Sequence, residues 1–289
     1  MLPNQILNRI IGLQEDERRE YYRHFNMERR IMREDSDPFT LSNSLFKDLF
    51  RLNKEMHQTG YYFLIPPMKL IVKAQFMRKT RFPGVLGAID CTHISIIAPV
   101  VEEHNYLNRK GYHSKNVQII CDADLLILNI NSRYPGAVHD SFIWRNSVIH
   151  EELRHRYNAG DTNSWLLGDS GYPQQPWLMT PIVNAAPGTP EFIYTERHVL
   201  SRNVIGRLNG VFKGRFRCIS QERKLRYDPV TVGKIVTSCA ILHNLCIKGG
   251  LQMDINIPAE LPEHVEVQHM DDFNNGFDAR RQLIAKYFA

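Results

Sequence analysis

Two aspartates in strand-like surroundings are the residues of this 289-residue chain that could do chemistry. Asp90 interrupts the apolar, β-branched run 85–97, and Asp169 lies in a Gly-Asp-Ser-Gly turn directly after the apolar run 164–167. Because aspartate is depleted from strands and is rarely buried without a partner, something should compensate Asp90. A bound cation would do so, and so would a hydrogen bond to a neighbouring Ser, Thr or backbone N–H. The residues alone leave both interpretations open.

If the strand ends bring Asp90 and Asp169 together, their carboxylates form a hard-oxygen site that suits Mg²⁺ or Mn²⁺. In phosphodiester cleavage such an ion lowers the pKa of an attacking water and stabilises the leaving oxyanion. A third oxygen ligand from a following helix would normally complete the site. Almost any sequence offers two such aspartates, so the pair by itself does not establish a metal centre.

The pattern of apolar residues predicts an α/β fold, in which a mixed sheet is flanked by helices. A small helical N-terminal region is expected over 1–80, a main domain over 81–250, and an acidic loop with a terminal helix over 251–289. Three antiparallel strands and one later strand are predicted at 85–97, 117–121, 125–134 and 164–167. Helices of the main domain and the C-terminus are predicted at 141–157, 198–217, 230–247 and 279–287.

The charge of the chain is segregated, although its net value of +5 is mild. Residues 197–226 carry nine Lys or Arg against one acid, whereas residues 254–272 carry six acids and no Lys or Arg. The basic stripe indicates either a contact with a phosphate backbone or a solvated helix face. The sequence has no run of about 20 apolar residues, so no membrane span is expected, and a nuclear or cytosolic address follows. The five cysteines are expected to be reduced and mostly buried, since they form no Cys-x-x-Cys pair.

Seven sequence words carry a resemblance to a known family. They are Phe82-Pro-Gly-Val-Leu-Gly-Ala-Ile-Asp90-Cys-Thr-His-Ile, Asn108-Arg-Lys-Gly-Tyr-His113-Ser, Arg133-Tyr-Pro-Gly-Ala-Val-His139-Asp140-Ser, Trp165-Leu-Leu-Gly-Asp169-Ser-Gly-Tyr, Trp177-Leu-Met-Thr-Pro181, Asn209-Gly-Val-Phe-Lys213-Gly-Arg-Phe-Arg217-Cys and Ala240-Ile-Leu-His243-Asn244. These words occur in the order seen in PIF/Harbinger transposases, and the closest resemblance is to the domesticated Harbinger transposase-derived nucleases of animals. The resemblance implies an RNase H-like fold, a divalent metal, a DNA substrate, a nuclear setting that need not exclude the cytoplasm, and a Myb/SANT-type protein as partner.

The resemblance places Asp90 and Asp169 on the first two members of the family's Asp-Asp-Glu triad, as catalytic and metal-binding residues. The third member does not carry over, because the family's Val-Ile-Glu-Arg-x-Asn-Gly word has Gly206 at the glutamate position here. Glycine has no side chain to hold a metal, and only Asn203 or Asn209 would offer a nearby amide oxygen. Cleavage by this chain is therefore expected to be impaired.

A second departure from the family lies upstream, where only residues 51–81 stand in place of a longer helix-turn-helix segment. That truncation puts sequence-specific DNA binding in doubt. Contacts with nucleic acid are nevertheless expected from basic residues of the polar loop and the basic stripe, namely Arg109, Lys110, Arg202, Arg207, Lys213 and Arg215.

Three further polar residues are expected to serve the structure: Asp140 as a helix N-cap rather than as support for the acidic site, His93 bonded to backbone rather than near the metal or a phosphate, and His243 satisfying buried backbone. Two hypotheses for function follow. The chain is a Harbinger-derived, metal-dependent DNA nuclease, or it is a catalytically inactive relative kept for binding DNA or a protein.

Overall fold

Five strands form one mixed sheet in the part of the chain that the structure describes. This computed structural model describes Leu64, residues 68–251 and residues 274–289, all within one compact unit, Tyr61–Ala289. The strand order is β3-β2-β1-β4-β5, with β1, β2 and β3 antiparallel and with β1, β4 and β5 parallel. The strands are β1 Val85–Ser95, β2 Ser114–Cys121, β3 Ile127–Pro135, β4 Trp165–Leu167 and β5 Leu178–Met179.

Helices flank the sheet, which confirms the predicted α/β architecture. The helices predicted before residue 64 and most of the acidic segment after residue 251 lie outside the described residues. The described helices are α1 Met68–Thr80, α2 Glu103–Tyr106, α3 Asp140–Arg145, α4 Val148–Asn158, α5 Pro190–Arg215, α6 Pro229–Lys248 and α7 Asn274–Tyr287, and a 3₁₀ turn spans Arg217–Ile219.

Two helix boundaries differ from the prediction because capping residues decide them. The single helix expected over 141–157 is divided at Ser147, whose hydroxyl accepts a hydrogen bond from the backbone N–H of His150 and so begins α4. The long basic helix begins at Pro190 rather than near residue 198, because Thr189 caps it and proline suits the first helical position. From the four prolines at 176, 181, 187 and 190, the sequence predicts a connector over this segment, and that prediction places the start of the helix too late.

The core lies on both faces of the sheet, because successive residues of a strand point to opposite sides. Ile89 belongs to one apolar cluster, together with Trp144, Trp165 and Tyr194. Its neighbour Ala88 belongs to the other apolar cluster, which contains buried residues of α5 and α6. A buried central strand is the outcome, as the apolar run around Asp90 predicted.

Helix α6 is long and apolar enough to cross a membrane, and it is alone in this among the described helices. In the structure it packs against β3, where Ser132 donates a hydrogen bond to the carbonyl of Gly233 at 3.1 Å. Its residues Val232 and Val236 are fully buried. Here α6 serves as a core helix of the domain.

Candidate active site

Asp90 and Asp169 come together because β1 and β4 are parallel neighbours, with Asp90 in the middle of β1 and Asp169 just after β4. The last residues paired between these strands are Ala88 and Leu167, and each aspartate lies two residues further along its chain. The turn after β4 fixes Asp169, whose carboxylate accepts the backbone N–H of Gly171 at 2.9 Å. The two carboxylates are therefore positioned by strand geometry and by a local turn.

Arg202 of α5 joins the two carboxylates. Its Nη2 atom lies 3.1 Å from Asp90 Oδ1 and 3.3 Å from Asp169 Oδ2. All three side chains are mostly buried: the exposed fraction of the side-chain surface is 20% for Arg202, 17% for Asp90 and 30% for Asp169. The basic stripe predicted that Arg202 contacts nucleic acid, but its side chain lies inside the acidic site instead. A protein cation thus compensates Asp90, which is an answer that neither sequence interpretation had included.

Gly206 and Asn209 follow Arg202 on the same face of α5, at spacings of four and three residues. The Nδ2 atom of Asn209 donates to Asp90 Oδ2 at 3.4 Å, and its buried Oδ1 has no partner among the described atoms. A Cβ added to Gly206 would meet nothing within 4 Å. Space for a side chain is therefore present where the family has its glutamate. Asn203, the other amide considered, is exposed.

The electrostatics of the site reflect its burial. Burial raises the pKa of Asp90 to about 7, and the charges of Asp169 and Asp140 act in the same direction, while Arg202 opposes them. Burial by itself would lower the pKa of Arg202, but Asp90 and Asp169 outweigh it and raise that pKa. The guanidinium keeps its charge, and it holds together two carboxyl groups that would otherwise repel each other.

Asp140 is a third acidic residue near the pair, and its predicted role as an N-cap is wrong. The cap residue of α3 is His139, and Asp140 instead accepts a hydrogen bond from Asn116 Nδ2 at 2.8 Å. Burial raises the pKa of Asp140, and the charge of Asp169 raises it further. The contact with Asn116 comes from β2, so no local sequence signal could have revealed it.

The six predicted nucleic-acid contacts have different surroundings. Lys213 donates to the backbone carbonyl of His93 at 3.0 Å and lines a cleft of about 420 Å³ with Arg217. Burial lowers the pKa of His93 to about 4, and the positive charges of Lys213 and Lys110 contribute. These two lysines therefore lie near the strand that carries Asp90.

The remaining predicted contacts divide between surface and interior. Arg109 and Arg207 are exposed, and Arg109 Nη2 contacts the ring of His139 at 2.6 Å. Arg215 instead donates to the carbonyls of Leu251 and His243, at 2.7 and 3.4 Å, and so ties α5 to the end of α6. Arg215 thus has a structural role, and its contact with nucleic acid stays a prediction.

The two histidines also have definite partners. His93 Nδ1 lies 3.0 Å from the hydroxyl of Ser114, so the predicted bond to backbone is wrong. His243 Nε2 lies 2.8 Å from the carbonyl of Leu125, as its predicted role in satisfying buried backbone requires.

The donor set of the acidic site fits one divalent ion better than two. Asp90, Asp169 and the unpartnered Oδ1 of Asn209 are hard oxygen donors of the kind that Mg²⁺ and Mn²⁺ prefer. In the described part of the chain, no group of three or more His, Cys, Asp or Glu side chains is arranged to hold a metal. Gly206 stands at the position where the family's glutamate would supply the third acid.

Comparison with known proteins agrees with this geometry. A family profile described as "DDE superfamily endonuclease" matches residues 89–244, a span that contains both aspartates and all of α5. This chain belongs to the DDE superfamily of endonucleases. The mixed five-stranded sheet flanked by helices is consistent with the RNase H-like fold of this family.

The relatives of this chain include a protein named "Putative nuclease HARBI1", from Bos taurus and from Homo sapiens. Each is 32% identical over 225 residues, which is 75% of this chain and 63% of the relative. "Protein ALP1-like" from Arabidopsis thaliana is 28% identical over 211 residues, covering 68% of this chain and 52% of the relative. The predicted Harbinger resemblance is confirmed, although the chain spans less than two thirds of the length of these relatives. No solved structure matches the chain.

Proposed function

We propose that this chain is a Harbinger-type DNA nuclease with impaired cleavage, which binds a single Mg²⁺ or Mn²⁺ weakly at Asp90 and Asp169. One observation carries the proposal: the two carboxylates converge on one cation, Arg202, and Gly206, one helical turn further along α5, leaves open space where a side chain could stand. The convergence is the framework of a metal site. Arg202, which pairs with both carboxylates, and Gly206, which supplies no third ligand, would both weaken metal binding.

The residues would divide the work of such a site as follows. Asp90 and Asp169 would hold the ion, with Asn209 Oδ1 as a neutral third donor. When bound, the ion supplies an activated water and stabilisation of the leaving oxyanion. Arg202 would have to withdraw from the carboxylates, because two cations cannot share the same oxygens without strong repulsion. Once withdrawn, its guanidinium would be placed to pair with a DNA phosphate.

Restoring the third acid tests the proposal most directly. The purified chain should nick supercoiled plasmid slowly with Mn²⁺, and Asp90→Ala should abolish that nicking. Gly206→Glu should raise the rate about 10- to 100-fold, because a third carboxylate strengthens transition-state stabilisation by the ion. Nicking is followed on agarose gels over time.

Two matched variants keep this experiment interpretable. Gly206→Gln adds a side chain of similar size without charge, and Asn203→Glu adds an acid to the exposed face of the same helix. Neither should gain activity. If Gly206→Glu binds Mn²⁺ more tightly and yet nicks no faster, position 206 does not complete a catalytic site and the nuclease proposal fails.

A binding role without catalysis is the second candidate, and the cleft around Lys213 favours it. Lys110 and Lys213 lie near the strand that carries Asp90, and Arg207 is exposed on the same helix as Lys213. Such a surface would contact phosphates regardless of whether the acidic site cleaves them. A nuclear address belongs to the same proposal, and the Myb/SANT-type partner stays a prediction.

The salt dependence of DNA binding measures this second role. Lys213→Ala and Arg207→Ala should each make the negative slope of log K against log salt shallower by about 0.9, the value for one lost phosphate contact. Arg281→Ala removes an equally basic, exposed residue of another helix, α7, and should leave the slope unchanged. If the slopes of all three variants equal that of the parent chain, the Lys213 surface does not bind DNA. Fluorescence anisotropy at several salt concentrations provides the slopes.

A further inference from the structure

Two thiols face each other at the junction between the 3₁₀ turn Arg217–Ile219 and helix α6. The Sγ atoms of Cys218 and Cys239 are 3.9 Å apart, although the residues are 21 positions apart in the chain. Cys218 is exposed, whereas only 6% of Cys239 is exposed. The expectation that the cysteines are mostly buried therefore fails at Cys218, which is the accessible member of the pair.

The surroundings make the two thiols unequal. The hydrogen bond with Cys239 lowers the pKa of Cys218, and backbone N–H groups and the charge of Arg223 lower it further, against the effect of burial. The same hydrogen bond, together with burial, raises the pKa of Cys239. Reactive cysteines are accessible thiolates, and sensor cysteines have a second thiol within reach to resolve the oxidised form.

We propose that Cys218 and Cys239 form an oxidisable pair, in which Cys218 reacts with hydrogen peroxide and Cys239 closes a disulfide. In the first step the Cys218 thiolate attacks a peroxide oxygen, the O–O bond breaks, and sulfenic acid and hydroxide are produced. In the second step the Cys239 sulfur displaces hydroxide from that sulfenic acid, and its proton completes a second water. Overall, two thiols and one hydrogen peroxide give one disulfide and two waters.

The geometry requires only a small movement to form this bond. A disulfide holds its sulfurs about 2.05 Å apart, so the two Sγ atoms must approach by about 2 Å. The bond would tie the 3₁₀ turn to the core helix α6. Because Arg217 and Ser220 on either side of Cys218 line the 420 Å³ cleft, oxidation would fix one wall of that cleft. This inference does not depend on the proposed nuclease or DNA-binding function.

Peptide mass spectrometry of the full chain after hydrogen peroxide treatment tests the proposal. The expected product is a Cys218–Cys239 cross-linked peptide that lacks two hydrogens and disappears on treatment with dithiothreitol. Cys218→Ser should abolish the cross-link, and Cys239→Ser should instead accumulate a sulfenic acid at Cys218 that dimedone traps. Cys246→Ser, which alters another thiol of α6, should cross-link as the parent chain does.

A second measurement guards against an uninformative failure of a variant to fold. The oxidised parent chain should melt at a higher Tm than the reduced chain, and this difference should be absent in Cys218→Ser. The proposal is overturned if peroxide oxidises other cysteines first, or if Cys218 of the parent chain is converted to sulfinic acid without any cross-link. It is also overturned if dimedone labels Cys239→Ser no more than it labels the parent chain.

Discussion

Asp90, within β1, and Asp122, directly after β2, are both acids with little exposed surface, but they are satisfied in different ways. Asp122 follows β2 directly, and its Oδ1 atom accepts the backbone N–H groups of Asp124 and Leu126, each at 2.8 Å. Asp90 is satisfied mainly by side chains from a distant helix, the guanidinium of Arg202 and the amide of Asn209. One aspartate builds a turn, and the other builds a site.

Burial alone therefore does not identify a functional acid. Burial is the largest cause of the raised pKa in both residues, to about 7 for Asp90 and about 6 for Asp122. What distinguishes them is the origin of the partner. Backbone donors within four residues cannot leave Asp122 without unfolding its turn. A side-chain cation from another element can be exchanged for a different cation, and this makes Asp90 suitable for binding.

Removing Arg202 should change the free energy of unfolding more than the other substitutions in this comparison do. Arg202→Met leaves Asp90 and Asp169 without their cation, and breaking a buried ion pair in this way costs about 3–5 kcal/mol. We expect urea denaturation above pH 7 to report a loss of this size in the free energy of unfolding. The loss should be smaller at pH 5, because protonation of Asp90 then removes the uncompensated charge.

Adding a divalent cation extends the same experiment. Mn²⁺ should restore part of the lost stability of Arg202→Met, since an ion that binds only the folded chain stabilises it by mass action. Arg281→Met, which removes an exposed arginine of α7, should change neither the stability nor its response to Mn²⁺. If Arg202→Met is as stable as the parent chain, Asp90 does not depend on its cation and the contrast with Asp122 is wrong.

The sheet and the meeting of Asp90 and Asp169 could be predicted because both are written in local patterns. The glycine-rich turn around Asp169 indicates a strand end, whereas the apolar run around Asp90 indicates a strand that continues past the aspartate, as β1 does. The two-residue strand β5, Leu178–Met179, is too short to have a periodicity, and its proline-rich surroundings suggested a connector instead. Helix α2, with four residues, was missed for the same reason of length.

The locations and contacts of the basic residues could not be predicted from the number of charges. The stripe was treated as one surface, but helix packing gives its members three roles. Arg202 faces the carboxylates, Arg215 ties α5 to the end of α6, and Arg207 is exposed. Which face of a 26-residue helix turns toward the sheet depends on long-range packing, and the charge pattern of this helix is too uniform to reveal it.

The pH dependence of stability offers the smallest expected effect, on the Asp122 side of the comparison. Below about pH 4 the carboxyl group is protonated in both the folded and the unfolded chain. Between about pH 4 and 6 the unfolded chain releases the proton while the folded chain retains it, so the parent chain loses stability as the pH rises. Asp122→Asn keeps the acceptor oxygen and cannot ionise, so it should escape this loss.

The stability of Asp122→Asn relative to the parent chain should therefore increase by about 2–3 kcal/mol from pH 4 to 6, at about 1.4 kcal/mol per pKa unit, and stay constant above pH 6. Urea denaturation at several pH values measures this difference. Asp122→Ala, which removes the acceptor, should lose stability relative to Asp122→Asn at every pH, because two buried N–H groups lose their partner. Parallel curves for Asp122→Asn and the parent chain would mean that Asp122 ionises freely in the folded state. The carboxylate in the Asp122 turn would then behave like one exposed to water. Of the two acids compared, only Asp90 would need a partner to compensate its charge.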